Sequence, residues 1–193
     1  MKIVFATNNI NKLKEVQAIV PDTLTIVSLK DIGCFEDIPE TSPTIEKNAI
    51  QKAKYVKEHY GYDCFADDTG LEVPSLNNEP GVYSARYAGP ERDSKKNMVK
   101  VLTGLQESTN RSAQFKTVIA LQLGDTTHVF TGICKGAISK EQKGTLGFGY
   151  DPIFVPDGFT ETFAELAGSV KNKISHRAKA LEKLITFINQ KLT

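Results

Sequence analysis

Apolar residues fall into short blocks along the chain, and their spacing switches between strand-like and helix-like periods. "KIVFAT" near the start reads as a buried strand, broken by the polar turn "NNINK". "KLKEVQAIV" then carries Leu13, Val16 and Ile19 at helical spacing. "LTIVSL" is a second short strand, and "DIGCFEDIPETSPT", rich in Pro, Asp and Thr, reads as a loop. From residue 45 the period predicts a helix with Ile45, Ala49, Ala53, Val56 and Tyr60 on one face. Ser42 with Pro43, or Thr44, can start it and Gly61 can end it.

"YDCFA" returns to strand and stops at two adjacent aspartates, Asp67 and Asp68. "PSLNNEPGVYSARYAGPERD" is a long irregular segment, and long loops inside compact domains are often functional. "DSKKNMVKVLTGL" predicts an amphipathic helix capped by Asp93 or Ser94. "SAQFKTVIALQLGDTTHVFTGICKGAI" predicts two long strands joined at "GD" as a hairpin. Glycine-rich "KGTLGFGYDPIFVPDG" leads into a short strand, and the chain closes with a helix bearing Ala178, Leu181, Leu184, Ile185 and Ile188 on one face. Strands alternating with helices and interrupted by a hairpin argue for an α/β fold with a mixed sheet. With no internal repeat or evident linker, residues 1–193 are expected to form a single domain.

Composition narrows the class. A formal net charge of +1 gives no global field that would favour nucleic acid or an anionic membrane. Cys34, Cys64 and Cys134 are odd in number and far apart, so neither a disulfide framework nor a zinc site is indicated. "MKIVFATNN" is too short an apolar run for a signal peptide, and no stretch nears the roughly 18 apolar residues of a membrane helix. The expectation is a reduced, cytoplasmic protein.

Four stretches carry candidate chemistry. "ATNNINK" is a strand–turn–helix passage, an arrangement that aims free backbone N–H groups at an anion, with Lys12 adding a mobile charge. It lacks the glycines of a Walker loop, and from spacing alone an asparagine-rich turn with ordinary caps is the simpler account. Asp67 and Asp68 offer hard oxygens of the kind magnesium takes, one or two at a time, with Glu40 as a second source; a solvated turn explains the pair too. If the strand persists through them, alternation lets only one face a given side. In "GFGYDP" the glycines permit close backbone approach while Phe148 or Tyr150 could stack on a flat ligand. In "KNKISHR", Ser175 can cap the last helix, leaving His176 and Arg177 in a first turn where cations oppose the helix dipole. Together these are the parts of a magnesium–nucleotide site.

The motifs "ATNNINK", "ETSPTIEKNAIQKA", "FADDTGLEV", "PGVYSARYAG", "GFGYDPIF" and "ISHRAKAL" occur in this order over residues 6–181. They closely resemble the inosine triphosphate pyrophosphatase family in its bacterial form. The resemblance implies an elongated mixed β-sheet flanked by helices, with two lobes and an active-site cleft between them. It implies hydrolysis of inosine, deoxyinosine and xanthosine triphosphates to the monophosphate and pyrophosphate, with Mg²⁺ as cofactor and a homodimer as assembly. Neither nucleic acid nor membrane is an expected partner.

Carried over position by position, Thr7, Asn8, Asn9, Ile10, Asn11 and Lys12 resemble the turn that binds the triphosphate. Glu40 and Asp68 resemble the metal carboxylates, and Asp68 matches the proposed proton acceptor. Thr69 stands where the family usually has serine, keeping the hydroxyl, and Lys52 looks like the lysine directed at the phosphates. Phe148, Gly149, Tyr150 and Asp151 resemble the base-binding loop, while Lys171, His176 and Arg177 match the remaining substrate positions. His176 and Arg177 are expected to donate to the purine 6-oxygen, which adenine lacks. Alternation suggests that Asp68 faces substrate while Asp67 supports it. The septum-formation-inhibitor family, which cleaves related triphosphates, is set apart by an N-terminal Ser–Arg motif absent here. A nucleotide-binding module without activity is the rival of another class; the retained Lys12, Glu40, Lys52 and Asp68 argue against it.

Overall fold

The computed structural model describes residues 1–192. Seven strands, β1 (Lys2–Phe5), β2 (Thr25–Ser28), β3 (Cys64–Val73), β4 (Glu79–Pro80), β5 (Ser112–Leu123), β6 (Thr126–Ile138) and β7 (Phe154–Pro156), form one mixed sheet. Among the described residues five α-helices accompany them: α1 (Ile10–Gln17), α2 (Ile45–Tyr60), α3 (Ser94–Gly104), α4 (Gly168–Ile174) and α5 (His176–Leu192). The strand order is β2-β1-β3-β5-β6-β7, with β4 paired to β3. This is the α/β mixed sheet that the alternating pattern predicts.

The chain divides into two compact units, and the division falls inside strands: after Asp68 in β3, Lys116 in β5 and Gly132 in β6. The first unit comprises Met1–Asp68, Thr117–Gly132 and the chain from Arg177. Its core joins Ile3, Phe5, Phe65, Ile119 and Leu121 of the strands to Val16 of α1 and Leu181, Leu184 and Ile188 of α5. The second unit, Thr69–Lys116 with Ile133–His176, has its own core of Leu71, Val101, Phe115, Ile138, Phe154 and Phe163 among others.

Register fixes where the first unit can do chemistry. β1 runs parallel to both β2 and β3, with Val4 opposite Cys64 and Phe5 opposite Phe65. The Phe5 and Phe65 rings stack at 4.5 Å, so a one-residue slip would break the pair. Leaving β1, the turn 7–12 therefore lies level with Ala66–Asp68 of β3. Ligands of open parallel sheets bind at this carboxyl end of the strands.

α2 begins and ends as the sequence predicts. The Thr44 side chain accepts from the Lys47 N–H, and Gly61 closes the helix at φ 76°. Ile45, Ala49, Ala53 and Val56 are buried. In α3 the Asp93 carboxylate caps the N–H groups of Lys95 and Lys96. Cys34, Cys64 and Cys134 are all buried, and none is in a disulfide.

Three expectations need correcting. β3 does not stop at Asp67–Asp68 but continues to Val73, because the pairing with β4 at Glu72–Pro80 carries the ladder onward. The irregular segment after it holds two short 3-10 turns, Pro74–Leu76 and Gly81–Arg86, as well as β4. α4 went unpredicted, since "GSVKNKI" starts at glycine and has little apolar periodicity.

Gly61 tests the cap of α2. Its positive φ puts an alanine there in the left-handed region, although nothing lies within 4 Å of the added Cβ. Gly61→Ala should cost about 1–2 kcal/mol from backbone strain alone, read as a lower urea midpoint with unchanged slope. An unchanged midpoint would mean that the helix can end another way.

Candidate active site

The two aspartates sit in mid-strand, so their side chains leave β3 on opposite faces. Asp67 is 1% exposed and is held by two cations. Its Oδ1 accepts from Lys12 Nζ at 2.9 Å and its Oδ2 from Arg177 Nε at 3.1 Å. Arg177, also fully buried, makes a second ion pair through Nη1 with Glu15 of α1. Burial alone would raise the Asp67 pKa, but the charges of Lys12, Arg177 and Lys52 outweigh it and hold the carboxyl far below the usual range.

Asp68 meets a different set. Asn48 Nδ2 donates to its Oδ2 at 3.3 Å, and Lys52 Nζ lies 4.0 Å from its Oδ1. Lys52 also ion-pairs with Glu40 and donates to the Asp67 carbonyl at 2.7 Å. Burial raises the Asp68 pKa, with Glu40 and Asp67 adding to it against the pull of Lys52 and Lys12. Lys52 shifts upward as well: burial opposes its charge, but Asp68, Glu40 and Asp67 more than compensate. A carboxylate with raised proton affinity beside an ammonium can accept a proton; two carboxylates on one ammonium can also share a cation.

The turn 7–12 is less open than its sequence suggests. Asn9 caps α1, its Oδ1 taking the N–H groups of Asn11 and Lys12 at 3.0 and 3.2 Å. Thr7 Oγ1 accepts from Asn9 N at 3.2 Å. The backbone donors of Asn9, Asn11 and Lys12 are thus already engaged by side chains; Lys12 Nζ supplies the charge. Asn8 Nδ2 reaches the Glu36 carbonyl and Asp37 Oδ1, tying the turn to the loop that carries Glu40. Ile10 is exposed. The same loop is fastened by Glu36, which accepts from the Tyr60 and Tyr55 hydroxyls; Tyr60 first among these bonds draws its carboxyl down to about 2.

In the second unit the loop 147–151 is folded around Asp151. Its Oδ2 accepts from Phe148 N at 2.8 Å and Lys171 Nζ at 2.6 Å, and both charged side chains are buried. Gly147, at φ 73°, leaves no room for a Cβ because the Asp151 carboxylate occupies that space. Lys171 Nζ lies 5.1 Å from the Phe148 ring centroid, a cation–π distance. Gly149 also has positive φ. Tyr150 is buried, and its hydroxyl donates to the Ser84 carbonyl at 2.7 Å, which leaves the half-buried Phe148 as the better stacking surface. His176 stacks on Phe115 with centroids 4.5 Å apart. Thr69, half-buried, follows Asp68 on β3.

The structure therefore brings Lys12, Glu40, Lys52, Asp68 and Arg177 together in the first unit, and Phe148, Asp151 and Lys171 in the second. Sequence reasoning overlooked Glu15 and gave Asn48 no role. Their signals were present but faint: Glu15 falls one helical turn from Lys12, and Asn48 is an amide on the apolar face of α2.

A profile of the Ham1 family matches residues 3–187. The chain belongs to the Ham1 family. Among its relatives, the dITP/XTP pyrophosphatase of Flavobacterium johnsoniae is 60% identical over 188 residues, covering 97% of this chain and 98% of that protein. The Bacillus subtilis protein of the same description is 44% identical over 185 residues, covering 94% and 93%. Of solved structures, the Ham1 protein of Staphylococcus aureus superposes with a TM-score of 0.89 at 39% identity, covering 99% and 100%. That of Coxiella burnetii gives 0.90 at 38%, covering 98% and 99%.

Opposite pKa shifts of neighbouring aspartates predict opposite effects on stability in this Ham1 protein. The depressed Asp67 contributes stability that is present above the unfolded value of about 3.9 and lost as pH falls below it toward the folded value. Asp67→Asn leaves Arg177 and Lys12 short of a counter-charge and should cost about 3–5 kcal/mol near neutral pH. The raised Asp68 instead costs stability once ionised, so Asp68→Asn should be at least as stable as the parent there. Chemical denaturation of the three proteins at neutral pH checks both; equal losses for the two variants would refute the assignment.

Proposed function

We propose that this Ham1 protein hydrolyses inosine, deoxyinosine and xanthosine triphosphates to the nucleoside monophosphate and pyrophosphate, removing them from the nucleotide pool. The observation that carries the reading is Asp68: a buried carboxylate of raised proton affinity, one hydrogen bond from Asn48 and beside the Lys52–Glu40 pair. Water attacks the α-phosphorus, a new P–O bond forms, the α–β bridging P–O bond breaks and pyrophosphate leaves. Asp68 takes the proton released by the water. Lys12 and Lys52 stabilise the charge that develops on the departing phosphates.

Charge balance supports a metal. The set of half-buried Lys12 with buried Lys52 and Arg177 is matched by Glu15, Glu40, Asp67 and Asp68, leaving no surplus positive charge for a triphosphate. Among the described residues no three His, Cys, Asp or Glu side chains converge as a metal cage. Two hard carboxylates on one ammonium suit Mg²⁺, which commonly takes one or two carboxylates, waters and substrate phosphates. Glu40 and Asp68 would hold it, and it would supply charge neutralisation at the phosphates and a lower pKa for bound water.

Phe148, with Gly149, Tyr150, Asp151 and Lys171, receives the base in this reading, and Thr69 and the turn 7–12 receive the sugar and phosphates. His176 and Arg177 complete the substrate positions. Arg177 spends Nε and Nη1 on Asp67 and Glu15, so it acts first by fixing Asp67. The chain works as one domain over residues 1–193, consistent with three strands that run through both units. A homodimer and a cytoplasmic location belong to the same proposal. Cys34, Cys64 and Cys134, all buried and none in a disulfide, suit a reducing compartment.

Pyrophosphate release from inosine triphosphate with Mg²⁺, compared with adenosine, guanosine and cytidine triphosphates, tests the function. The expected result is preference for the inosine base and loss of nearly all turnover in Asp68→Asn with its fold intact. Binding without pyrophosphate release would make the protein a nucleotide-binding module. Turnover of Asp68→Asn within about tenfold of the parent would remove Asp68 from the chemistry, since general-base roles contribute about 10²–10⁴.

A further inference from the structure

Asn48 is a buried amide, 1% exposed, on the face of α2 that otherwise buries Ile45, Ala49, Ala53 and Val56. Its orientation is fixed by chemistry. Ser42 N lies 2.8 Å from Asn48 Oδ1, and a backbone N–H can only donate, so that end must be the oxygen. The amide nitrogen is thereby turned to Asp68 Oδ2, an acceptor when ionised, at 3.3 Å. One planar group thus joins the loop of Glu40 to the strand of Asp68. Nearby bonds act in the same sense: Thr41 N donates to Gln51 Oε1 at 3.1 Å, and Lys52 holds both Glu40 and the Asp67 carbonyl.

We propose that Asn48 is a positioning residue for hydrolysis, setting the Asp68 carboxylate and the Glu40 loop at one fixed separation. The inference rests on the function proposed above. It assigns Asn48 no contact with substrate; the residue acts through Asp68. Reactive groups misplaced by about 1 Å can lose roughly a hundredfold in rate, and an unheld carboxylate on a strand has that freedom about its χ angles. The same bond predicts that a side chain of equal shape without a donor fails: Asn48→Asp keeps an acceptor for Ser42 N but sets a carboxylate against Asp68.

A double-mutant cycle tests this. In the active parent, Asn48→Ala should lower kcat about ten- to hundredfold, as loss of a hydrogen bond to a charged group does, with KM for inosine triphosphate within about threefold. In the Asp68→Asn background the same change should alter the residual single-turnover rate by less than about threefold, because the carboxylate that Asn48 positions is already gone. Equal factors in both backgrounds, or a kcat within about threefold of the parent, would overturn the proposal. If Asn48→Ala does not fold, Asn48→Asp enters the same cycle with the same expectation. Thermal melts of the metal-free parent, Asn48→Ala, Asp68→Ala (which leaves no acceptor) and the double alanine variant give a second readout, in which additive shifts would deny the contact itself. An inactive parent removes the proposed function and this role with it; an active parent with an additive cycle removes only the role of Asn48.

Discussion

Burying charge is the constraint on which the first unit is built. Seven ionisable side chains, three cations and four carboxylates, gather around residues 67 and 68 of one strand. An isolated ion in such a place would neutralise or force the site open. The solution is a chain of alternating sign: Glu15, Arg177, Asp67 and Lys12 in sequence, with Lys52 serving Glu40 and Asp68 beside it. Such networks contribute little net stability compared with apolar packing, but removing a buried carboxylate shared by two cations, as Asp67 is, is costly. What the network secures is geometry: every charged group has one place where its partner is.

That geometry depends on strand register. Lys12 meets Asp67 because β1 and β3 are parallel and aligned at Phe5 and Phe65, which puts the start of α1 beside the middle of β3. α2 then lays Asn48 and Lys52, one helical turn apart, against the same strand residues. α5 delivers Arg177 from the far end of the chain, 110 positions from Asp67. The hydrophobic core of Phe5, Phe65, Val16 and Leu181 therefore does more than exclude water; it sets the spacing of the charges above it.

This division explains what could be read from the sequence. α2, α3 and the two long strands were legible because caps, period and turn residues are local. The continuation of β3 through two aspartates was not, since charge in a strand interior reads as an end unless its counter-ions are known. Those counter-ions, Lys12, Lys52 and Arg177, come from three separate helices. Free N–H groups at the turn 7–12 were expected from the strand–turn–helix outline, but the outline does not say that Asn9 will fold back on its own helix. Tyr150 and Phe148 looked equivalent as stacking rings, and only burial against Ser84 tells them apart.

The unlike surroundings of two aspartates side by side are a consequence of alternation in a strand. Adjacent residues must face opposite ways, so identical side chains enter unlike surroundings. Asp67 faces two cations and is held ionised; it serves the fold. Asp68 faces an amide and a lysine already shared with Glu40, and its carboxyl is left with raised proton affinity. Neither task could be done by the other residue without reversing the pleat. The pair therefore acts as a single device: the first carboxylate anchors Lys12 and Arg177, while burial raises the proton affinity of the second. A carboxylate of raised proton affinity is unfavourable for the folded protein alone, and it is what the proposed water-activating role requires.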